Sequence, residues 1–79
     1  MITNNSVTVV GTTYIFDTVM EGYCKKHNLI KDQFIELDNK YKIFAYINEY
    51  SFCFTDCSVK DNVKNIENYI KGKEEQNNV

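Results

Sequence analysis

Residues 33–55 read Gln-Phe-Ile-Glu-Leu-Asp-Asn-Lys-Tyr-Lys-Ile-Phe-Ala-Tyr-Ile-Asn-Glu-Tyr-Ser-Phe-Cys-Phe-Thr. The stretch is rich in β-branched and aromatic residues, and apolar side chains recur at every second position through Tyr41, Ile43, Ala45 and Ile47. Alternation of this kind predicts strands. We read three: Gln33–Leu37, Tyr41–Asn48 and Tyr50–Thr55. Asp38-Asn39-Lys40 suits a three-residue hairpin loop with a left-handed position at Asn39 or Lys40. A two-residue turn at Asn48-Glu49 joins the next pair. The two registers agree, setting Phe34 opposite Phe44 and Phe44 opposite Cys53.

Helical patterns flank this segment. Ile15, Phe16, Val19, Met20 and Tyr23 fall in one arc of a 3.6-residue wheel, with Asp17, Glu21 and Lys25 opposite. This predicts a helix from a cap at Thr12 or Thr13 to about His27, with Glu21 and Lys25 placed to form an i,i+4 pair. The alternative extends a strand through Phe16 and starts the helix at Asp17. Ser6–Val10 reads as a short edge strand. At the other end Ser58 caps a helix whose stripe is Val59, Val63, Ile66 and Ile70. Gly72 closes it, with Lys71 and Lys73 at the negative end of its dipole. The expectation is an α+β domain of two layers, a three-stranded antiparallel sheet flanked by two helices on one face, in the order (β)αβββα. Residues 1–79 form a single domain, with 1–5 and 73–79 as loose tails.

Seventy-nine residues bury about 60% of their unfolded surface, so a single core leaves a thin margin of stability. Three cysteines, and a start without a basic segment or long apolar run, point to a reduced, cytoplasmic protein with no membrane span. Nine lysines, no arginine and eleven acids make nucleic-acid binding an unfavoured class, since phosphate contacts need a basic excess. Abundant Asn, Lys, Ile, Tyr and Phe, with one Ala, match A/T-rich codons and a low-GC bacterium, phage or plasmid.

Catalytic chemistry finds no foothold. His27 is the single histidine; it falls at a helix end, where it meets the last carbonyls. The three glycines are isolated, so no phosphate-cradling loop exists. Cys24-x2-His27 and Cys53-x3-Cys57 have the look of zinc ligands. In a strand, however, Cys53 and Cys57 stand about 13 Å apart, too far to share one ion. We therefore expect no metal, no cofactor and no catalytic residue. Lys60, Lys64 and Lys71 share one side of the last helix, but Glu67 interrupts them, which suits a solvated ion-paired face.

The expected sheet leaves one aromatic face uncovered. Phe34, Phe44 and Cys53 form a cross-strand row with Tyr46 beside it, and such patches often mark binding surfaces. Phe34, Phe44 and Tyr46 are the expected anchors, with Glu36 and Lys42 at the rim. The function expected is a non-catalytic protein-binding module, an inhibitor or immunity-type protein that blocks a larger host or cognate protein. A homodimer on the same face is the alternative. The order helix, three strands, helix also resembles double-stranded-RNA-binding domains in topology. Those domains carry lysines at the start of the last helix, where this chain has Ser58-Val59-Lys60-Asp61.

Overall fold

The computed structural model describes the backbone of residues 4–77 and the side chains of 11–76. Among the described residues every regular element is a helix: α1 (Asn4–His27), α2 (Lys31–Tyr41), α3 (Ile43–Glu49), α4 (Ser51–Phe54) and α5 (Val59–Asn77). The expected three-stranded sheet is absent from them, and the α+β assignment is corrected to a small all-helical fold.

The reason lies in residues 33–55 themselves. On a wheel of about 100° per residue, Ile43, Ile47, Tyr50 and Phe54 fall within about 60°. Ile43, Ile47 and Phe54 are buried, whereas Ala45, Asn48, Glu49 and Phe52 on the opposite side are exposed. In α2, Phe34 and Tyr41 are buried and Leu37 is half-buried, a spacing of three then four. Period-two and period-3.6 patterns coexist here, and the helical one sets the apolar side chains of this segment against α1.

The chain breaks close to the expected turns, with different geometry. Lys42 adopts a left-handed conformation, φ 59° and ψ 50°, and ends α2 by donating its N–H to the Asp38 carbonyl at 2.7 Å. Lys42 offers α3 no side-chain cap. Asp38 does so from the preceding helix: its Oδ1 accepts the Phe44 N–H at 2.7 Å. One residue of α2 thus terminates one helix and starts the next. The expected left-handed position at Asn39 or Lys40 moves to Lys42, and the expected turn at Asn48-Glu49 moves to Tyr50 (φ −114°, ψ 33°).

In α1 the expected arc holds. Ile15, Phe16, Val19 and Tyr23 are buried, and Met20 packs against them. Ser6–Val10, expected as an edge strand, lies within the helix, as does Thr12, expected as a cap. Buried Thr12 donates its hydroxyl to Asn48 Oδ1 at 2.9 Å, tying α1 to α3. The helix ends at His27, as expected. Asn28 follows in the left-handed region (φ 55°), and the Leu29 N–H reaches back to the Cys24 carbonyl at 2.9 Å, a Schellman-type close.

α5 begins as read: Ser58 Oγ accepts the Asp61 N–H at 3.1 Å. Val63, Ile66 and Ile70 are buried, but Val59 is 43% exposed. The helix does not stop at Gly72; it continues to Asn77. Of the expected loose tails, residues 4–5 and 73–77 are helical, and 1–3 and 78–79 lie outside the described residues.

α1 packs against each of the other four helices. Phe34 fits between Phe16 and Tyr23, with centroids 5.6 and 5.3 Å away. α5 is secured by Tyr69, whose ring stacks on Tyr46 at 3.9 Å and whose hydroxyl donates to the Tyr41 carbonyl at 2.5 Å. Tyr46 in turn donates to Asn65 Oδ1 at 2.9 Å.

Two substitutions test this architecture. Gly72→Ala should raise stability by about 0.5–1 kcal/mol, because Gly72 sits inside a helix with open space around it; a left-handed cap there would make the same change destabilising. Asp38→Ala should lower stability by about 1 kcal/mol through loss of the α3 cap. Both are read from urea unfolding midpoints followed by circular dichroism.

Candidate functional site

The residues expected to anchor a partner do not form a surface together. Phe34 is fully buried in the core. Phe44 is half-buried with its ring edge-on to Phe16 at 5.4 Å, and Tyr46 is half-buried under Tyr69. Burial also pushes the Tyr46 phenol up. Glu36 and Lys42 are exposed, on α2 and at its end. The aromatic row was a product of the strand register; on helices the same rings turn inward against α1 and α5.

An open concave surface runs between α1 and α5, away from these residues. On α1 it is built from Gly11, Tyr14, Thr18, Gly22 and Lys25, spaced i, i+3, i+7, i+11 and i+14, which lines them along one side of the helix. At its upper end Gly11, Tyr14, Ile15 and Thr18 face Phe54, Thr55, Cys57, Val59 and Asn62 around a space of about 370 Å³. Thr18 and Val59 also line the next segment, with Glu21, Gly22 and Lys25. Gly22 and Val59 carry the trough on to Lys26, Lys60 and Val63.

Gly22 sets its depth. A Cβ at this position would stand 3.0 Å from Val63 Cγ2 and 3.1 Å from Val59 Cγ1. The glycine lets α1 and α5 approach closely, at a cost in helix propensity of about 1 kcal/mol relative to alanine. Tyr14, 71% exposed, and Val59 stand on the rim. Asn62 is buried at the upper end and donates to the Phe54 carbonyl at 3.1 Å, holding α4 against α5.

The lower end is cationic. Lys25, Lys26 and Lys60 line it with Glu21 as the acid. Lys26 is bound to Glu67 Oε1 at 2.9 Å, and Lys25 and Lys60 make no ion pair among the described residues. The expected Glu21–Lys25 bridge is not among the ion pairs formed there.

Glu67 was read as an interruption in a lysine stripe on α5. In the fold it turns to α1, accepting from Lys26 and meeting His27 Nε2 at 2.6 Å through its other oxygen. The His27 ring stacks on Tyr23 at 4.2 Å. The lone histidine is therefore held in a clamp between α1 and α5, with a carboxylate and a phenol ring as its neighbours. Hydrogen bonding from Lys26, reinforced by His27, holds the Glu67 carboxyl below its ordinary value, against an opposing contribution from burial.

The cysteines separate into two kinds. Cys24 is buried, its thiol directed at the Ile30 carbonyl at 3.6 Å, and burial pushes that thiol up. Cys53 and Cys57 are exposed. Cys53 lies in α4 and not in a strand, so the 13 Å separation expected for a strand does not apply. Among the described residues, no three His, Cys, Asp or Glu side chains gather where they could hold a metal ion. No helix of the described residues is long and apolar enough to cross a membrane.

The trough was not found from the sequence, although its signal was there. Gly11, Tyr14, Thr18 and Gly22 have helical spacing on α1, but a strand at Ser6–Val10 and a helix capped at Thr12 or Thr13 cut the stripe at its start.

The clamp predicts a pH dependence. A carboxyl lowered on folding contributes stability above its unfolded pKa, and that contribution is lost as pH falls through the folded value. Glu67→Gln should therefore be less stable than wild type at neutral pH, by no more than about 1 kcal/mol for so exposed a pair. The gap should close as pH falls below 4.5, the ordinary carboxyl value. Urea unfolding of both proteins between neutral pH and pH 3 checks this.

Compared with protein-family models, curated proteins and solved structures, the chain matches none.

Proposed function

We propose that the chain is a small non-catalytic protein-binding module that docks on a larger host or cognate protein through the α1–α5 trough. The observation that carries the reading is the trough itself: a concavity along α1 and α5 floored by Gly22, with an exposed tyrosine on its rim and, at one end, Lys25 and Lys60, which form no ion pair among the described residues. Aromatic residues beside a concave apolar surface are typical interface anchors. Its helical walls suit an amphipathic segment laid along the groove, with apolar side chains toward Tyr14 and Val59. A carboxylate at the other end of that segment would meet Lys25 and Lys60.

Inhibition or neutralisation of the partner, in the cytoplasm, is the corresponding mode of action. A module of this size acts by covering a surface. The site chemistry supports the non-catalytic reading: His27 is engaged by Glu67 and stacked on Tyr23, and among the described residues no serine or cysteine is one of its polar partners. The double-stranded-RNA-binding analogy loses its basis together with the sheet on which it rested.

Tyr14→Asp separates this reading from others. Tyr14 is exposed, so the variant should keep its helical circular dichroism, while capture of the cognate protein from source or host extract falls at least tenfold. Phe52→Asp, at a 74% exposed position outside the trough, serves as the control and should retain capture. Equal capture by all three proteins would place binding on another face. Sedimentation of the free chain tests self-association: a dimer lost on Tyr14→Asp would assign the trough to a second copy.

A further inference from the structure

We propose that Cys53 and Cys57 form a reversible dithiol–disulfide pair on the upper rim of the trough, a modification site for low-molecular-weight disulfides such as oxidised glutathione. Both thiols are exposed, so an oxidant can reach them, whereas the third cysteine is enclosed. The two lie four residues apart, Cys53 in α4 and Cys57 at the bend that follows it. Thr55 between them is in the right-handed helical region (φ −64°, ψ −42°), with its N–H on the Ser51 carbonyl at 3.2 Å. The turn at residues 55–56 separates them by a single winding of the chain, which suits the Cα separation of about 4.4–6.8 Å that disulfides span.

Two further features favour closure. The Cys57 Sγ is already folded back over its partner residue, 3.3 Å from the Cys53 carbonyl oxygen. Cys57 also leaves the regular helix, with its N–H on the Phe54 carbonyl at 3.4 Å. α4 is only one turn long, and the connector from Thr55 to Ser58 can absorb the small approach of the two Cβ atoms that a disulfide needs.

The chemistry balances in two exchanges. The thiolate of one cysteine attacks the oxidant's sulfur–sulfur bond, forming a mixed disulfide and releasing one glutathione thiolate. The thiolate of the other then attacks the protein-side sulfur and displaces the second. The two protons lost by the cysteines go to the departing thiolates, and the two electrons removed from the cysteines reduce the oxidant. Cys24 stays out of this exchange because its thiol is buried, directed at the Ile30 carbonyl and shifted toward the protonated form by its surroundings.

Because Cys57 lines the trough beside Thr55 and Val59, the bridge alters that wall in the two redox states. This consequence rests on the docking reading. The pairing itself does not, and the test addresses the pairing.

Folded wild-type protein is incubated with oxidised glutathione, alkylated with iodoacetamide and digested with trypsin. The expected fragment Ile43–Lys60 carries no alkyl group and is lighter by two hydrogens than the reduced fragment, Cys24 remains a thiol, and dithiothreitol reverses the change. Cys53→Ser and Cys57→Ser should each retain one glutathione on the remaining exposed cysteine. Separate glutathione adducts on both residues of the wild type, covalent dimers, or two alkylated thiols would overturn the pairing.

Discussion

The buried side of α1 is the constraint on which the other elements depend. Thr12, Ile15, Phe16, Val19, Tyr23 and Cys24 descend it in steps of three, one, three, four and one, and α2, α3, α4 and α5 all pack against the helix that carries them. α2 to α4 are short, and an isolated helix of that length is marginal in water without a tertiary face to bury. Phe34 shows the dependence at one residue: it is fully enclosed because Phe16 and Tyr23 stand about two turns apart on α1 and receive it between them.

The short helices are held by polar contacts reaching across their breaks. Asp38 links α2 to α3, Asn62 links α4 to α5, and the Tyr69 hydroxyl meets the carbonyl at the end of α2. Each satisfies a backbone group that a helix end leaves without an intrahelical partner. The surface trough follows from the same packing. α1 and α5 touch closely at Gly22 and are clamped at Glu67, and the space between their outward-facing sides remains open.

Much of the organisation was legible before any coordinates. The apolar arc of α1 from Ile15 to Tyr23, its end at His27 and the Ser58 cap of α5 all follow from local rules of helix periodicity and termination, and the structure retains them. In the middle segment the chain interruptions were legible to within about two residues. Gly72 was misread because glycine ends helices more often than it occupies their interiors, and nothing in the neighbouring residues marks the difference. The candidate site fared worst. Three of its five expected residues, Phe34, Phe44 and Tyr46, owed their place on a common surface to a strand register that the chain does not adopt.

By itself, the sequence determined that α1 ends at His27, that α5 begins at Ser58 and which side of α1 faces inward. Those properties depend on residue type and spacing over a few turns. Tertiary structure alone decided whether residues 33–55 alternate across a sheet or wind as helices, because Ile43, Ile47 and Phe54 suit either pattern until the surface that buries them is specified. Tertiary structure also decided that Glu67 grips α1, not its own helix, and that Gly22 opens a trough. Both outcomes arise from the approach of α1 to α5 across some forty residues of chain, a distance over which local spacing carries no information.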